Sequence, residues 1–203
     1  ESGCWGGVGR AIGRAFGRAG GGVGVHSNGN GTGAEDTQTV CVAAGGAGEL
    51  YEADIREPDA VQQMVEASCS QVPAPSVFVC NAGIGGSSLI LKQREEDWAG
   101  VLATNLTGTF HCLRAMAPPL LARAGGSIVV IGSYAGFQGS TGQAAYAASK
   151  AGLIGLVKSA AQEWGSQNIR VNLVLPGWQR TGLSEGTMPE PYGWTDHTLR
   201  RPP

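Results

Sequence analysis

Tyr146-Ala-Ala-Ser-Lys150 is the stretch whose residue types carry the most chemistry. Residues four apart share one face of a helix, so the phenol and the ammonium project into the same space. A phenol ionises near pH 10, and a neighbouring cation favours the phenolate and lowers that value. Lys150 could thereby make Tyr146 a proton donor and acceptor near neutral pH. With only 4 Tyr and 3 Lys in 203 residues, chance rarely produces this pair, although an ordinary solvated helix face can carry one. Ser133 lies 13 residues before Tyr146 and just after an apolar run at 127–131. If that run is a strand of an open α/β sheet, Ser133 sits at the carboxyl end, where ligands bind. Its hydroxyl could then donate to a substrate oxygen as negative charge develops there.

A second constellation lies near the start. Ser2-Gly3 and Gly7-Val8-Gly9 lead directly into a helical pattern. Glycines let the backbone turn and approach a pyrophosphate, and the helix N-terminus offers unpaired N–H groups. In a chain with 34 glycines, the same pattern also suits a surface turn. A dinucleotide site often has an acidic residue ending its second strand, on the ribose 2′-hydroxyl. That strand here runs into His26, Ser27 and Asn28. With no carboxylate to repel a 2′-phosphate, NADP(H) is favoured over NAD(H). Arg10, Arg14 and Arg18 recur every four residues, as a solvated face does; Arg10 is near enough to the loop to approach a phosphate.

These groups need a scaffold, and the pattern supplies one. Strands are expected at 23–26, 50–54, 77–80, 127–131 and 171–175, and helices at 9–19, 34–44, 57–70, 95–122 and 144–165. Ile12, Ala15, Phe16 and Ala19 form an apolar stripe on the first helix; Val61, Met64, Val65 and Ser68 form one on the third. Strands alternating with helices predict βαβ units and a doubly wound parallel α/β sheet covered on both faces. The expectation is one dinucleotide-binding domain over 1–203.

Composition narrows the function classes. Charged residues make up 15% of the chain and hydrophobic residues 42%, with a net charge of -2. That gives no electrostatic footprint for nucleic acid or an anionic membrane. No apolar run approaches a membrane span. The start, Glu1-Ser2-Gly3-Cys4, lacks the pattern of a signal peptide, and it lacks Met, as a processed chain or a fragment would. The five cysteines at 4, 41, 69, 80 and 112 have no metal-ligand spacing. They read as reduced, buried thiols of a cytoplasmic protein. His26, His111 and His197 are too scattered for a metal site. Trp98, Phe110 and Trp164 read as helix-packing residues at a core or a subunit contact.

Together these residues resemble the classical short-chain dehydrogenase/reductase family, from Ser2 to about Thr181. The glycine loop matches T-G-x-x-x-G-x-G with Ser2 for Thr. Asp54, followed by Ile55, stands where the family's Asp meets adenine. Cys80-Asn81-Ala82-Gly83 matches N-N-A-G with Cys80 for the first Asn. Asn105, Ser133, Tyr146 and Lys150 match the catalytic tetrad, and Pro176-Gly177 with Thr181 matches P-G-x-x-x-T beside the nicotinamide. Seven motifs fall in the family's order. Gly142 to Tyr146 with Ser149 to Gly152 looks most like the 3-oxoacyl-acyl carrier protein reductase and glucose dehydrogenase branch.

The resemblance implies an NAD(P)-dependent oxidoreductase acting on a small carbonyl or secondary alcohol. In it, Tyr146 protonates the carbonyl oxygen, Ser133 holds that oxygen, Lys150 lowers the Tyr146 pKa and binds the nicotinamide ribose, and Asn105 positions a relay water. Asn81, Ala82, Gly83 and Ser27 would line the cofactor. A homodimer or homotetramer of the full-length parent is implied through the helices at 95–122 and 144–165. Two departures stand out. The family's first strand and its last helix and strand are not found, so neighbouring strands should have bare edges and the chain should be marginally stable or partner with something that fills the gap. A non-catalytic dinucleotide-binding or scaffold protein, or an inactive fragment, is the alternative.

Overall fold

Short β-branched runs alternate with longer helical segments, so each strand can be covered by the helix that follows it. The computed structural model describes residues 7–29, 31–71 and 75–179. In it, α1 (Gly7–Arg18) leads to β1 (Val23–Ser27), α2 (Gly31–Ala43), β2 (Gly48–Glu52), α3 (Pro58–Gln71) and β3 (Val77–Cys80). There follow α4 (Glu95–Leu102), α5 (Thr109–Ala122), β4 (Gly126–Ile131), α6 (Ala135–Gln138), α7 (Ala144–Trp164) and β5 (Ile169–Val174). Every strand pair is parallel, as the alternation predicts. β1 pairs with β2, and β4 runs between β3 and β5. Among the described residues β1 and β3 are each paired on one side only, so the strands form two parallel sheets.

The main core surrounds β4. Ile128 and Val130 are fully buried, against Leu113 and Leu120 of α5 and Leu153 and Val157 of α7. Each such side chain contributes roughly 1.5–3 kcal/mol of burial free energy. The expected stripe on α3 points inward: Val61 and Val65 are buried, and Met64 packs beside them. A smaller cluster of Val25, Ala34 and Cys41 holds β1 to α2.

Helix α1 corrects the sequence reading. Its buried residues are Gly9, Gly13 and Gly17, not the apolar stripe; Phe16 is 38% exposed, and Ala15 and Ala19 are exposed. The reason is close helix packing. A Cβ at Gly13 would lie 2.8 Å from the Cys41 sulfur, and one at Gly17 2.5 Å from the Cys41 carbonyl oxygen. Only glycine lets α1 approach α2 this closely. Arg10 donates to Thr37 Oγ1 at 3.4 Å and pairs with Asp36 at 3.6 Å, so it too is directed at α2.

Other boundaries differ as well: α1, α2 and β5 each begin two or three residues earlier than expected. The helix expected over 95–122 is interrupted by a π-helical turn, Ala103–Gly108, between α4 and α5. Such turns are frequent at functional sites, and this one carries Asn105. At its end, a Cβ on Gly108 would lie 2.7 Å from Ile55 Cγ1, so glycine is required there. β2 ends at Glu52, two residues earlier than expected, because Asp54 starts a turn. Its carboxylate accepts from the Arg56 N–H at 2.9 Å, and its carbonyl accepts from Glu57 N–H at 3.0 Å.

Trp164 packs on the main core, whereas Trp98 and Phe110 are exposed, with the Arg114 guanidinium over the Phe110 ring. Cys41, Cys80 and Cys112 are buried, Cys69 half-buried, and all four are free thiols. Among the described residues no helix is long and apolar enough to cross a membrane.

Candidate active site

The carboxyl end of β4 carries Ser133. Backbone bonds from Gly132 N–H to the Val174 carbonyl (2.8 Å) and from Tyr134 N–H to the Pro176 carbonyl (3.0 Å) fasten this loop to the end of β5. Pro176 and Gly177 therefore stand beside Ser133. The short α6 lies on α7 through Gly136, where a Cβ would come within 2.7 Å of the Lys150 backbone. This contact brings the Lys150 turn of α7 over the end of β4.

Ser133, Tyr146 and Lys150 meet there. The Ser133 hydroxyl faces the Tyr146 phenol and favours its ionised form, while Ser133 Oγ accepts from Ala135 N–H at 3.2 Å. Lys150 is 3% exposed, donates to the Ile131 carbonyl at 2.8 Å and sits 5.8 Å from the Tyr146 ring centre. Burial lowers its pKa to about 8, partly opposed by Cys80. Tyr146 differs from the expectation. Burial raises its pKa above 10, and the neighbouring Ser133 hydroxyl offsets this only in part. The Lys150 ammonium donates to the Ile131 carbonyl, and burial is the larger influence on the neutral Tyr146 phenol.

Asn105 is fully buried on the π turn. Its Oδ1 accepts from Ile84 N–H at 2.8 Å, and its Nδ2 donates to the Ile84 carbonyl at 2.9 Å and to Ser149 Oγ at 3.1 Å. Both amide protons are spent on protein groups, so any water held for Lys150 must be met by an oxygen of Asn105. These bonds clamp the loop after β3, which carries Asn81, Ala82 and Gly83. A Cβ at Gly83 would lie 3.1 Å from Asn105 Oδ1 and 3.4 Å from Lys150 Nζ. Glycine thus keeps the ground between the loop, Asn105 and Lys150 open. Cys80, ending β3, is buried with its sulfur 4.0 Å from Met116 Sδ. The Cys112 thiol and burial push its pKa up. It packs as a small hydrophobe, as expected of the cysteines.

The segment after β2 reaches the π turn, where Ile55 lies against Gly108. Ser27 closes β1 with its side chain buried, and its carbonyl accepts from Ala53 N–H at 3.1 Å. Asp54 is held by the Arg56 guanidinium in a two-pronged pair. Arg56 and the Asn28 side chain together lower its pKa to about 2. Ile55 is buried, and its carbonyl accepts from His111 Nδ1 at 3.0 Å, which joins this corner to α5. His26 likewise donates to the Ala53 carbonyl at 2.8 Å. At the start of α1, Gly7 has φ 53°, Val8 is half-buried and Gly9 is buried. Ser2, Gly3, Thr181 and His197 lie outside the described residues. Sequence reasoning assigned no role to Arg56, Ile84 or Ser149; Ser149 was within the quoted motif, one residue before Lys150.

The described residues fit a nicotinamide dinucleotide. Glycines open the helix start and the β3 loop, and a buried cation stands 3.4 Å from where a Gly83 side chain would be. Among the described residues no His, Cys, Asp and Glu are grouped to hold a metal. An open groove of about 290 Å³ lies elsewhere, lined by Ala161, Asn168 and Arg170 at the start of β5.

A parallel α/β scaffold with polar groups gathered at its strand ends is the architecture in which open sheets bind nucleotides. The comparisons with known proteins narrow it. The family model for short chain dehydrogenases matches residues 2–191. A 3-oxoacyl-[acyl-carrier-protein] reductase of Synechocystis is 35% identical over 185 residues, 91% of this chain and 75% of that protein. One from Staphylococcus epidermidis is 37% identical over 172 residues, 85% and 70% of the two chains. The crystal structure of a short-chain type dehydrogenase/reductase from Mycobacterium marinum superposes with a TM-score of 0.86 at 29% identity, covering 90% of this chain and 72% of that one. The chain belongs to the short-chain dehydrogenase/reductase family, and it is an NAD(P)-dependent oxidoreductase with a Rossmann-like fold.

Proposed function

We propose that this enzyme is a ketoreductase that uses NADPH to reduce a 3-oxoacyl thioester, with Tyr146 as the proton donor. The observation that carries the reading is buried Lys150 beside the Tyr146 ring at the end of β4, with the Ser133 hydroxyl facing the phenol. When bound, the cofactor supplies the hydride. Ser133 and Tyr146 grip the carbonyl oxygen by two hydroxyls, fixing its orientation. Tyr146, its pKa raised by burial, keeps its proton at neutral pH until the oxygen becomes basic. As the phenolate develops, the Lys150 ammonium stabilises it; this cation is present below about pH 8. Asn105 holds Ile84 and thereby the wall formed by Asn81, Ala82 and Gly83. Asp54 and Ile55 would meet the adenine; Ser27, Gly7, Val8 and Gly9, with Ser2 and Gly3, would meet the ribose and phosphates. Pro176, Gly177 and Thr181 would border the nicotinamide.

Support for NADPH over NADH comes from the end of β1, where Ser27 and Asn28 present no carboxylate, and from the reductase names of the relatives. Exposed Trp98 and Phe110 on α4 and α5 support a homodimer or homotetramer through these helices. Free thiols at four described positions support a cytoplasmic setting. One dinucleotide-binding domain over 1–203 accommodates all of these residues. The test is fluorescence titration with NADPH and NADH, followed by turnover of a 3-oxobutanoyl thioester. Tighter NADPH binding with cofactor oxidation upholds the reading. Binding without turnover would favour a non-catalytic dinucleotide-binding or scaffold protein, and binding of neither an inactive fragment.

A further inference from the structure

We propose that Ser149 is a positioning residue, whose buried hydroxyl ties the Tyr146 turn of α7 to Asn105 and, through it, to the loop after β3. This rests on the reading of Tyr146 as proton donor. Ser149 is fully buried. Its Oγ donates to the Tyr146 carbonyl at 2.7 Å and accepts from Asn105 Nδ2 at 3.1 Å. Asn105 in turn grips both the N–H and the carbonyl of Ile84. Four bonds thus run in one line through α7, the π turn and the β3 loop.

The need for such a tie is visible in how α7 begins. Gln143 at its N-cap makes no side-chain capping bond, and no acidic residue stands in its first turn. An uncapped first turn leaves orphan N–H groups and frays readily. Tyr146 is the third residue of that turn, so fraying would move the phenol relative to Ser133. A serine inside a helix that bonds back to the preceding turn ordinarily weakens the helix slightly. Here the hydroxyl also receives the second amide proton of a buried asparagine, which would otherwise be unpaired. The bond therefore fastens the turn from outside the helix.

The test uses the full chain with NADPH and a 3-oxobutanoyl thioester. Ser149→Ala deletes the hydroxyl; Ser149→Cys keeps the volume but bonds weakly. NADPH titration counts intact sites in each variant, so kcat is expressed per bound cofactor. A role confined to packing or stability lowers the number of sites and leaves kcat per site unchanged. Both variants are expected to lose on the order of 10-fold in kcat per site, because small displacements of a reacting group are costly, with KM and the NADPH Kd little changed. A loss below about threefold in either variant, or loss of NADPH sites in both, overturns the proposal. Tyr146→Phe is run alongside. Full activity in that variant refutes the proton-donor reading itself, whereas an inactive Tyr146→Phe with active Ser149 variants refutes only the positioning role.

Discussion

Replacing Lys150 with Met should make the protein more stable and less active. Burial lowers the Lys150 pKa from 10.5 to about 8, which at about 1.4 kcal/mol per pH unit is a cost of roughly 3 kcal/mol for keeping the ammonium inside. Met has a stem of similar length and fills the same apolar channel without that cost. It also abandons the bond to the Ile131 carbonyl, a loss of about 1 kcal/mol. The net gain at pH 7 is about 2 kcal/mol. Its pH dependence has a definite sign. Between pH 8 and 10.5 the unfolded chain holds the Lys150 proton while the folded chain has released it, so the parent gains stability as pH rises. The advantage of Met is therefore constant below pH 8, shrinks above it, vanishes near about pH 9.5 and reverses by about pH 10.5. Urea unfolding followed by tryptophan fluorescence at pH 7 and 9.5 measures both values. A Met variant less stable than the parent at pH 7, or a difference that ignores pH, would refute the reasoning. Turnover of a 3-oxobutanoyl thioester should fall by about 100-fold, since the developing phenolate loses its cation.

Gly17→Ala sets a Cβ 2.5 Å from the Cys41 carbonyl oxygen, a backbone atom that cannot yield, and should cost about 1–3 kcal/mol in urea unfolding. Gly155→Ala, inside α7 with nothing within 4 Å, should instead stabilise by about 0.5–1 kcal/mol. Reductive kcat/KM should decline above about pH 8 as Lys150 loses its proton; a profile flat to pH 10 would separate Lys150 from the proton-transfer step.

Much of the scaffold was legible because each strand is a short apolar run and each helix is long and periodic. β3 falls on the expected residues, and β1, β4 and α7 lie within a residue of theirs. That Ser133, Tyr146 and Lys150 would be brought together at the end of β4 was legible because they have spacings that few other arrangements require. What escaped reading depends on contacts between distant segments. The π turn at Ala103–Gly108 has no compositional mark; Gly108 records it only once Ile55 is known to lie against it. The buried face of α1 was misread because apolar periodicity counts methyl groups, whereas this interface is selected for their absence at Gly13 and Gly17. Asp54 looked like a strand end, but its carboxylate is captured by Arg56 two residues on. The Tyr146 pKa was argued from spacing along a helix, which says nothing of burial or of the Ile131 carbonyl that takes the Lys150 ammonium.

The central claim is that Tyr146 gives the proton in a carbonyl reduction. The most direct measurement is kcat per NADPH site for Tyr146→Phe against the parent, with a 3-oxobutanoyl thioester. The account requires unchanged NADPH affinity with a fall of about 10²–10⁴ in turnover. A variant that binds NADPH and reduces the thioester at the parent's rate would contradict it.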